Sequence, residues 1–233
     1  MPLVSIDGRD LLVAMAIGIG VLAALLAAVI LLGAIVRPGR SAATVIDLVF
    51  GFAAYAGVFA AVWLAVVAVR GRRAADMGLR PCSLRLRWTG VMLGFAWVAA
   101  SCLFYGATGQ WDTAMSGGRS LVRPYLQGGI SFILLMALAG PVAAFVEETV
   151  FRGLLYGWLR QKTGVAIAAM SSSLLFTAAH FYVYSAGIVF VVEMVALAIV
   201  LALLFEYSRS LWPGILCHAA NNLAVLGVYL IAG

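Results

Sequence analysis

Two adjacent carboxylates and an arginine interrupt an otherwise apolar stretch of the sequence at residues 145–152. Charged groups at bilayer depth cost roughly 2.5–3.5 kcal/mol each, and they usually face the interior of a helix bundle or an aqueous cavity. Glu148 and Arg152 have the i,i+4 spacing of a helical ion pair. Glu147 is then the carboxylate without a local partner. An unpaired carboxylate inside a membrane helix is a candidate general base for hydrolysis.

The chain has two histidines, and both lie in apolar segments that predict helices. His180 follows Ser173 and Thr177 on one helix face, at positions i, i+4 and i+7. His218 and Asn222 share a face of another helix at i,i+4. A rise of about 1.5 Å per residue gives these side chains depths that ordinary helix tilt can match. We therefore expect both histidines and the asparagine to converge with the glutamate on one chamber inside the bilayer.

The composition is that of a membrane protein. Of 233 residues, 65% are hydrophobic and 10% are charged, and the mean hydropathy is +1.10. Because soluble domains are nearer half apolar and a quarter charged, we expect an all-α polytopic membrane protein with seven to eight transmembrane helices around a buried polar chamber. The net charge of +6 comes from dispersed arginines, so no nucleic-acid partner is expected. Three widely spaced cysteines predict neither a disulfide framework nor a metal site.

Apolar runs divide the chain into seven predicted spans. They cover residues 11–36, 44–69, 88–108, 125–160, 165–182, 186–205 and 212–231. Pro141 predicts a kink in the fourth run, and reading that run as two helices would give eight spans. Residues 110–124 contain glycine and polar side chains, which predicts a loop.

The arginines predict the orientation of the spans. The segment from Arg70 to Arg87 holds six arginines against one acid, Asp76, which favours a cytoplasmic location by the positive-inside rule. Alternation of the spans then puts the N-terminus inside and the C-terminus outside. We expect a multi-pass protein of the cell membrane.

Three short motifs occur in order in the second half of the chain. They are Glu147-Glu148-x-x-x-Arg152, Phe176-x-x-x-His180 and His218-x-x-x-Asn222. Each motif alone is weak, but the ordered set lies on predicted membrane helices and uses both histidines. It resembles the signature of the CPBP family, which comprises type II CAAX prenyl endopeptidases and bacteriocin-processing or self-immunity (Abi) membrane proteases. The resemblance covers about residues 125–231.

The resemblance implies an intramembrane endopeptidase with roughly eight helices. Glu147 would activate a water molecule with the help of His180. His218 and Asn222 would bind the developing oxyanion. Amide hydrolysis does require a base, a water and such donors. The implied partners are the lipid bilayer and a peptide or membrane-protein substrate, with or without a prenyl group. CAAX-like processing and bacteriocin or peptide processing both stay open.

Supporting roles and the domain organisation follow from the same resemblance. Glu148 and Arg152 would order the helix of the first motif, in agreement with their spacing as a structural pair. Within a single integral-membrane domain, residues 1–124 would form three N-terminal helices with their loops, and residues 125–233 the catalytic helical core. Glu193, in the sixth span, either lines the cavity or serves structure.

The residue types also allow a metalloenzyme. Glu147, His180 and His218 could bind Zn²⁺ as a set of two histidines and one glutamate. However, no H-E-x-x-H segment puts two ligands on one helix, and an asparagine opposite a glutamate suits an oxyanion donor better than a ligand. We therefore favour a site without metal or other cofactor, with zinc as the alternative.

Two function classes other than a protease are compatible with these residues. A proton-coupled transporter or channel would use the intramembrane acids and His180 as a relay, but the paired broken helices of such folds are not apparent in both halves. A catalytically silent immunity or scaffold protein would keep the motifs for stability. The sequence lacks a G-x-S-x-G nucleophile and a pair of intramembrane aspartates, which argues against serine and aspartic intramembrane proteases.

Overall fold

A computed structural model of the chain describes residues 6–36, 40–126, 129–180 and 187–232, and the regular structure in those ranges is helical. The helices are α1 (Gly8–Val36), α2 (Arg40–Trp63), α3 (Leu84–Ala107), α4 (Trp111–Leu126), α5 (Gly129–Lys162), α6 (Val165–Ala179), α7 (Ile188–Ser208) and α8 (Trp212–Ile231). Within the described ranges, five helical segments are long and apolar enough to cross a membrane: Ala43–Val69, α3, α5, α7 and α8. Helix α6 is a shorter apolar helix. The predicted all-α polytopic class is confirmed.

Helix α5 carries the two adjacent glutamates between two wide turns. The segments Leu138–Val142 and Thr149–Tyr156 are wound as π-helix, and the α-helical piece Ala143–Glu148 lies between them. Pro141 lies in the first wide segment, where the widened backbone accommodates a residue that has no N–H to donate. The proline predicted to kink the helix thus lies in a widened segment of one continuous helix.

The apolar core surrounds the C-terminal half of α5. Leu154 and Tyr156 are buried with Phe205, which lies near the end of α7, and with Leu211, which directly precedes α8. Met77, from a short 3₁₀ turn between α2 and α3, completes this contact. The helix that bears the glutamates is thus held on several sides by buried apolar side chains.

Two glycines bring α3 and α8 into close contact. A Cβ atom on Gly90 would collide with the carbonyl oxygen of Pro213, and one on Gly94 with the carbonyl oxygen of Cys217. This small-x-x-x-small spacing lets two helix backbones approach in a membrane. Since α8 carries His218 and Asn222, the crossing fixes against α3 the helix that bears both residues.

Several helix boundaries differ by a few residues from the predicted spans, and the start of α3 shows a local reason. Helix α3 begins at Leu84 rather than at residue 88, because the Ser83 hydroxyl accepts a hydrogen bond from the Leu86 N–H over 3.3 Å and caps the helix. Helix α6 ends at Ala179, with His180 as its C-terminal cap. The predicted end of the fifth span at residue 182 and the predicted start of the sixth at residue 186 lie outside the described residues.

The prediction of a loop at residues 110–124 is wrong. The segment forms α4, whose apolar side chains recur at helical spacing. Trp111, Ala114, Met115 and Val122 all line the cavity described below. Burial of this face favours a helix despite the glycines and proline of the segment, as tertiary contacts commonly override intrinsic propensity.

Candidate active site

A cavity of about 580 Å³ lies inside the helix bundle. Its wall includes all four residues predicted to be catalytic: Glu147, His180, His218 and Asn222. The four side chains come from α5, α8 and the end of α6. The convergence expected from their depths therefore holds in the structure.

Glu147 presents its two carboxylate oxygens to different neighbours. Its Oε1 accepts a hydrogen bond of 2.5 Å from the hydroxyl of Tyr55 on α2. Its Oε2 lies 3.6 Å from His180 Nε2 and 3.7 Å from His218 Nε2. Both distances are longer than a direct hydrogen bond. They leave room for one bridging atom, such as a water oxygen, that contacts the carboxylate and both imidazoles. One oxygen is thus held, and the other faces the two imidazoles.

The imidazole of His180 is oriented by the backbone of its own helix. Its Nδ1 lies 2.8 Å from the carbonyl oxygen of Phe176, one helical turn earlier. A carbonyl oxygen only accepts hydrogen bonds, so Nδ1 carries the proton and the Nε2 atom faces Glu147. The ring also packs on the Phe176 ring, with centroids 4.4 Å apart.

The imidazole of His218 is oriented by a buried ion pair. Its Nδ1 lies 3.0 Å from Glu148 Oε1, which also accepts a 2.8 Å bond from Arg152 Nη1. Because an ion-paired carboxylate is an acceptor, Nδ1 carries the proton and Nε2 faces Glu147. The Glu148–Arg152 pair predicted from spacing is therefore present, and its carboxylate also orients His218.

Arg152 is fixed from three directions. Its side chain is fully buried, Nη2 donates to the carbonyl oxygen of Ala198 over 2.9 Å, and its guanidinium lies 4.6 Å from the ring centroid of Phe176. A buried guanidinium is stable only when paired and hydrogen-bonded. The first-motif arginine thereby joins α5 to α6 and α7.

Asn222 is held by the widened part of α5. Its Nδ2 donates to the carbonyl oxygen of Ala139 over 2.8 Å, and its Oδ1 accepts from Asn221 Nδ2 over 3.1 Å. An amide nitrogen has two N–H bonds, and the described contacts use one of them. The other is available to a group in the cavity.

Three polar residues singled out by the sequence have other surroundings. Ser173 and Thr177 are buried within α6, but neither lines the cavity as the predicted stripe towards His180 would require. Glu193 does line it, and its carboxylate contacts the hydroxyls of Ser101 and Tyr105. Glu193 thus lines the cavity, and the same two contacts join α7 to α3, so both roles stay open.

Tyr55 is the residue of the site that the sequence did not indicate. It lies 92 positions before Glu147, in a span that matches no motif. A tyrosine in an apolar helix is unremarkable in sequence, so only the packing of α2 against α5 identifies it.

The donor atoms at the centre of the site are of the types that zinc binds. One carboxylate and two imidazoles are supplied by Glu147, His180 and His218. Each histidine Nδ1 lies against a hydrogen-bond acceptor, and the histidines that bind zinc in proteins are commonly oriented in this way. Within the described ranges, no three His, Cys, Asp or Glu side chains are arranged to hold a metal ion as they stand. Zinc binding would therefore require these side chains to move.

Comparison with known proteins agrees with the motifs. Residues 129–224 match the family model for "Type II CAAX prenyl endopeptidase Rce1-like", and all four residues predicted to be catalytic lie in this stretch. No curated protein and no solved structure matches the chain. Over residues 129–224, this chain of membrane-spanning helices is therefore similar to the Rce1-like type II CAAX prenyl endopeptidases, in agreement with the resemblance that the three motifs carry.

Proposed function

We propose that the chain is an intramembrane endopeptidase in which Glu147 activates the attacking water. The observation that carries the proposal is the arrangement of one carboxylate oxygen, Glu147 Oε2, within 3.7 Å of two imidazole Nε2 atoms at the wall of a cavity. One water molecule can contact all three atoms at once. The family is a protease family, which agrees with hydrolysis at this site.

The chemistry follows from the protons that each group can accept or donate. Glu147, with His180 beside it, takes a proton from the water as its oxygen attacks the carbonyl carbon of a peptide bond. The tetrahedral intermediate then collapses, the C–N bond breaks, and the same proton passes to the leaving amine. Enclosure among membrane helices strengthens each of these electrostatic contacts.

Two donors are assigned to the oxyanion. Asn222 offers its remaining Nδ2–H bond. The Nδ1 proton of His218 is committed to Glu148, so its Nε2 can donate only when the ring carries both protons. His218 is the second donor, through Nε2 when that atom carries a proton, and the Glu148 carboxylate at Nδ1 orients the ring.

We propose a metal-free reaction without a cofactor. Asn222, the fourth polar group of the site, is an amide and suits an oxyanion donor better than a zinc ligand. In the zinc alternative, Glu147, His180 and His218 would hold the ion, which would supply activation of the water.

The substrate is proposed to be a peptide or a membrane-embedded protein segment. The cavity lies within helices that can cross a membrane, so the scissile bond must reach bilayer depth. The proposal covers substrates with or without a prenyl group. The cell membrane and a cytoplasmic N-terminus stay our expectations for its location.

The decisive experiment is Glu147→Gln in the purified full-length chain in detergent, assayed by mass spectrometry on a mixture of synthetic peptides. Loss of the base is expected to lower turnover by roughly 10²–10⁴-fold. Glu206→Gln is the matched control, because Glu206 is also buried in a membrane helix but pairs with Arg160 outside the cavity. Cleavage by Glu147→Gln at the unchanged rate would overturn the proposal.

A further inference from the structure

The cavity has a second polar group away from the three motifs. Glu193 of α7 lines it together with Ser101 and Tyr105 of α3. The Tyr105 hydroxyl donates to Glu193 Oε2 over 2.6 Å, and the Ser101 hydroxyl contacts Oε1. The chain thus places a carboxylate inside the same chamber as Glu147, held by two neutral hydroxyls.

Glu193 differs from the other three glutamates in lacking a basic partner. Glu147 faces two imidazoles. Glu148 is paired with Arg152, and Glu206 is paired with an arginine at the end of α5. Within the part of the chain that the structure describes, no Arg, Lys or His nitrogen lies within 4.0 Å of the Glu193 carboxylate. Hydroxyl donors bind a carboxylate but do not neutralise it, so this site favours a cation from outside the chain.

Aromatic rings line the same cavity as this carboxylate. Trp97 of α3, Trp111 of α4 and Phe190 of α7 line the cavity together with Glu193. The face of an aromatic ring attracts an ammonium or guanidinium group, and tryptophan does so most strongly. A cavity that holds a carboxylate and aromatic rings therefore favours a cationic group over an anionic one.

The distance between the two polar groups sets the length of substrate between them. Helices α3 and α8 run parallel, since Gly90 and Gly94 contact Pro213 and Cys217 in the same order. Gly94 is therefore level with His218. Ser101 and Tyr105, whose hydroxyls hold Glu193, follow Gly94 by seven and eleven residues, which places them roughly 10–16 Å further along the helix axis. An extended peptide covers that distance in about three to five residues.

A purely structural role explains less. A glutamine could bridge α3 and α7 through the same two hydroxyls without placing a carboxylate in the membrane, where each ionisable group is costly. The acid therefore gives the cavity what a glutamine would not, a carboxylate that can pair with a cation.

We propose that Glu193, with Ser101 and Tyr105, binds a cationic group of the substrate, three to five residues from the bond attacked at Glu147. The group is the side chain of a lysine or arginine, or a terminal amine. This inference rests on the proposed function and adds the substrate class, a peptide with a basic group near the scissile bond.

The first test is a cleavage profile of a random-sequence peptide mixture, digested by the full chain in detergent. Cleaved bonds are expected to show enrichment of Lys and Arg three to five residues to one side. Glu193→Gln should remove that enrichment, and Glu193→Lys should replace it with Asp and Glu. Glu206→Gln should leave the profile unchanged. An unaltered profile in Glu193→Gln and Glu193→Lys would overturn the subsite.

The second test measures binding without turnover, in the Glu147→Gln background. The probes are two fluorescent apolar decapeptides that differ only in one lysine or acetyl-lysine. The lysine peptide is expected to bind about 10-fold more tightly than the acetyl-lysine peptide, because its ammonium group makes a charge-assisted hydrogen bond. Adding the Glu193→Gln substitution should make the affinities of the two peptides equal. Equal affinities before that substitution would refute the subsite. Retained cleavage by Glu147→Gln would instead refute the proposed catalysis while leaving a charge-dependent binding result intact.

Discussion

The hydroxyl of Tyr55 donates a 2.5 Å hydrogen bond to Glu147 Oε1, on the side of the carboxylate opposite to the two histidines. One face of α2 contacts α5 around this bond. Phe59, one turn after Tyr55, packs on Phe145 with ring centroids 5.2 Å apart. Tyr55 lies outside residues 129–224, so a helix beyond the family match sets the orientation of the proposed base.

Tyr55→Phe is expected to lower kcat by about 10- to 100-fold, with little change in KM. Without the hydroxyl, the carboxylate of Glu147 can rotate, and Oε2 loses its fixed direction towards the imidazoles. Steady-state kinetics on a cleaved peptide would separate the two constants. A rise in KM at unchanged kcat would show that Tyr55 serves binding and not the base.

Tyr156→Phe provides the matched control for that substitution. The Tyr156 hydroxyl also donates to a glutamate carboxylate, Glu206, over 2.6 Å, but outside the cavity. Its loss removes the same kind of hydrogen bond and should lower thermal stability in detergent while kcat is retained. Equal loss of kcat in both variants would attribute the Tyr55 effect to general destabilisation.

Asn222→Ala should reduce kcat by roughly 10²–10³-fold, the usual effect of removing one oxyanion donor. Asn221→Ala removes the neighbour that donates to Asn222 Oδ1 and should cost clearly less, because the Nδ2 bond to Ala139 still orients the amide. Kinetics of both variants on the same peptide would rank them. A larger loss for Asn221→Ala would reverse the roles of the two amides.

Arg152→Met is expected to destabilise the fold by about 3–5 kcal/mol, because it leaves the buried carboxylate of Glu148 without its cation. Adding Glu148→Gln should restore part of that stability, since the uncompensated charge is gone. Denaturant unfolding in mixed micelles would measure both variants. The double variant should nevertheless stay inactive, because the carboxylate that holds His218 Nδ1 over 3.0 Å would be gone and the ring would lose its orientation. An active double variant would contradict that role for Glu148.

The sequence predicted the helices and the convergence of the four catalytic candidates because both depend on local patterns. Hydropathy defines a span, and spacing along a helix defines a face and a depth. Asn222 and His218 illustrate this, as their i,i+4 positions bring both to one wall of the cavity. The pairing of Glu148 with Arg152 was likewise readable from spacing alone.

Contacts between distant segments were not readable in the same way. Tyr55 meets Glu147 across 92 positions, and Ser101 meets Glu193 across 92. Neither pair belongs to a local repeat, so each emerges only when helices pack. The prediction of a loop at residues 110–124 was wrong for the same reason. The apolar face of α4 is buried at the cavity wall, and this burial favours the helix. The Gly90-x-x-x-Gly94 spacing was the one local signal that could have indicated the crossing of α3 and α8.

Chelation is expected to leave turnover unchanged, with substoichiometric zinc in the purified chain. In the metal-free mechanism, Glu147 takes the proton from water, and the oxyanion donors are Asn222 and His218, so no step requires an ion. Elemental analysis and peptide cleavage before and after treatment with a chelator would test this. If cleavage were lost and then restored by Zn²⁺, and if His180→Ala also abolished zinc binding, the three donor side chains would be ligands and the metal-free mechanism would be wrong.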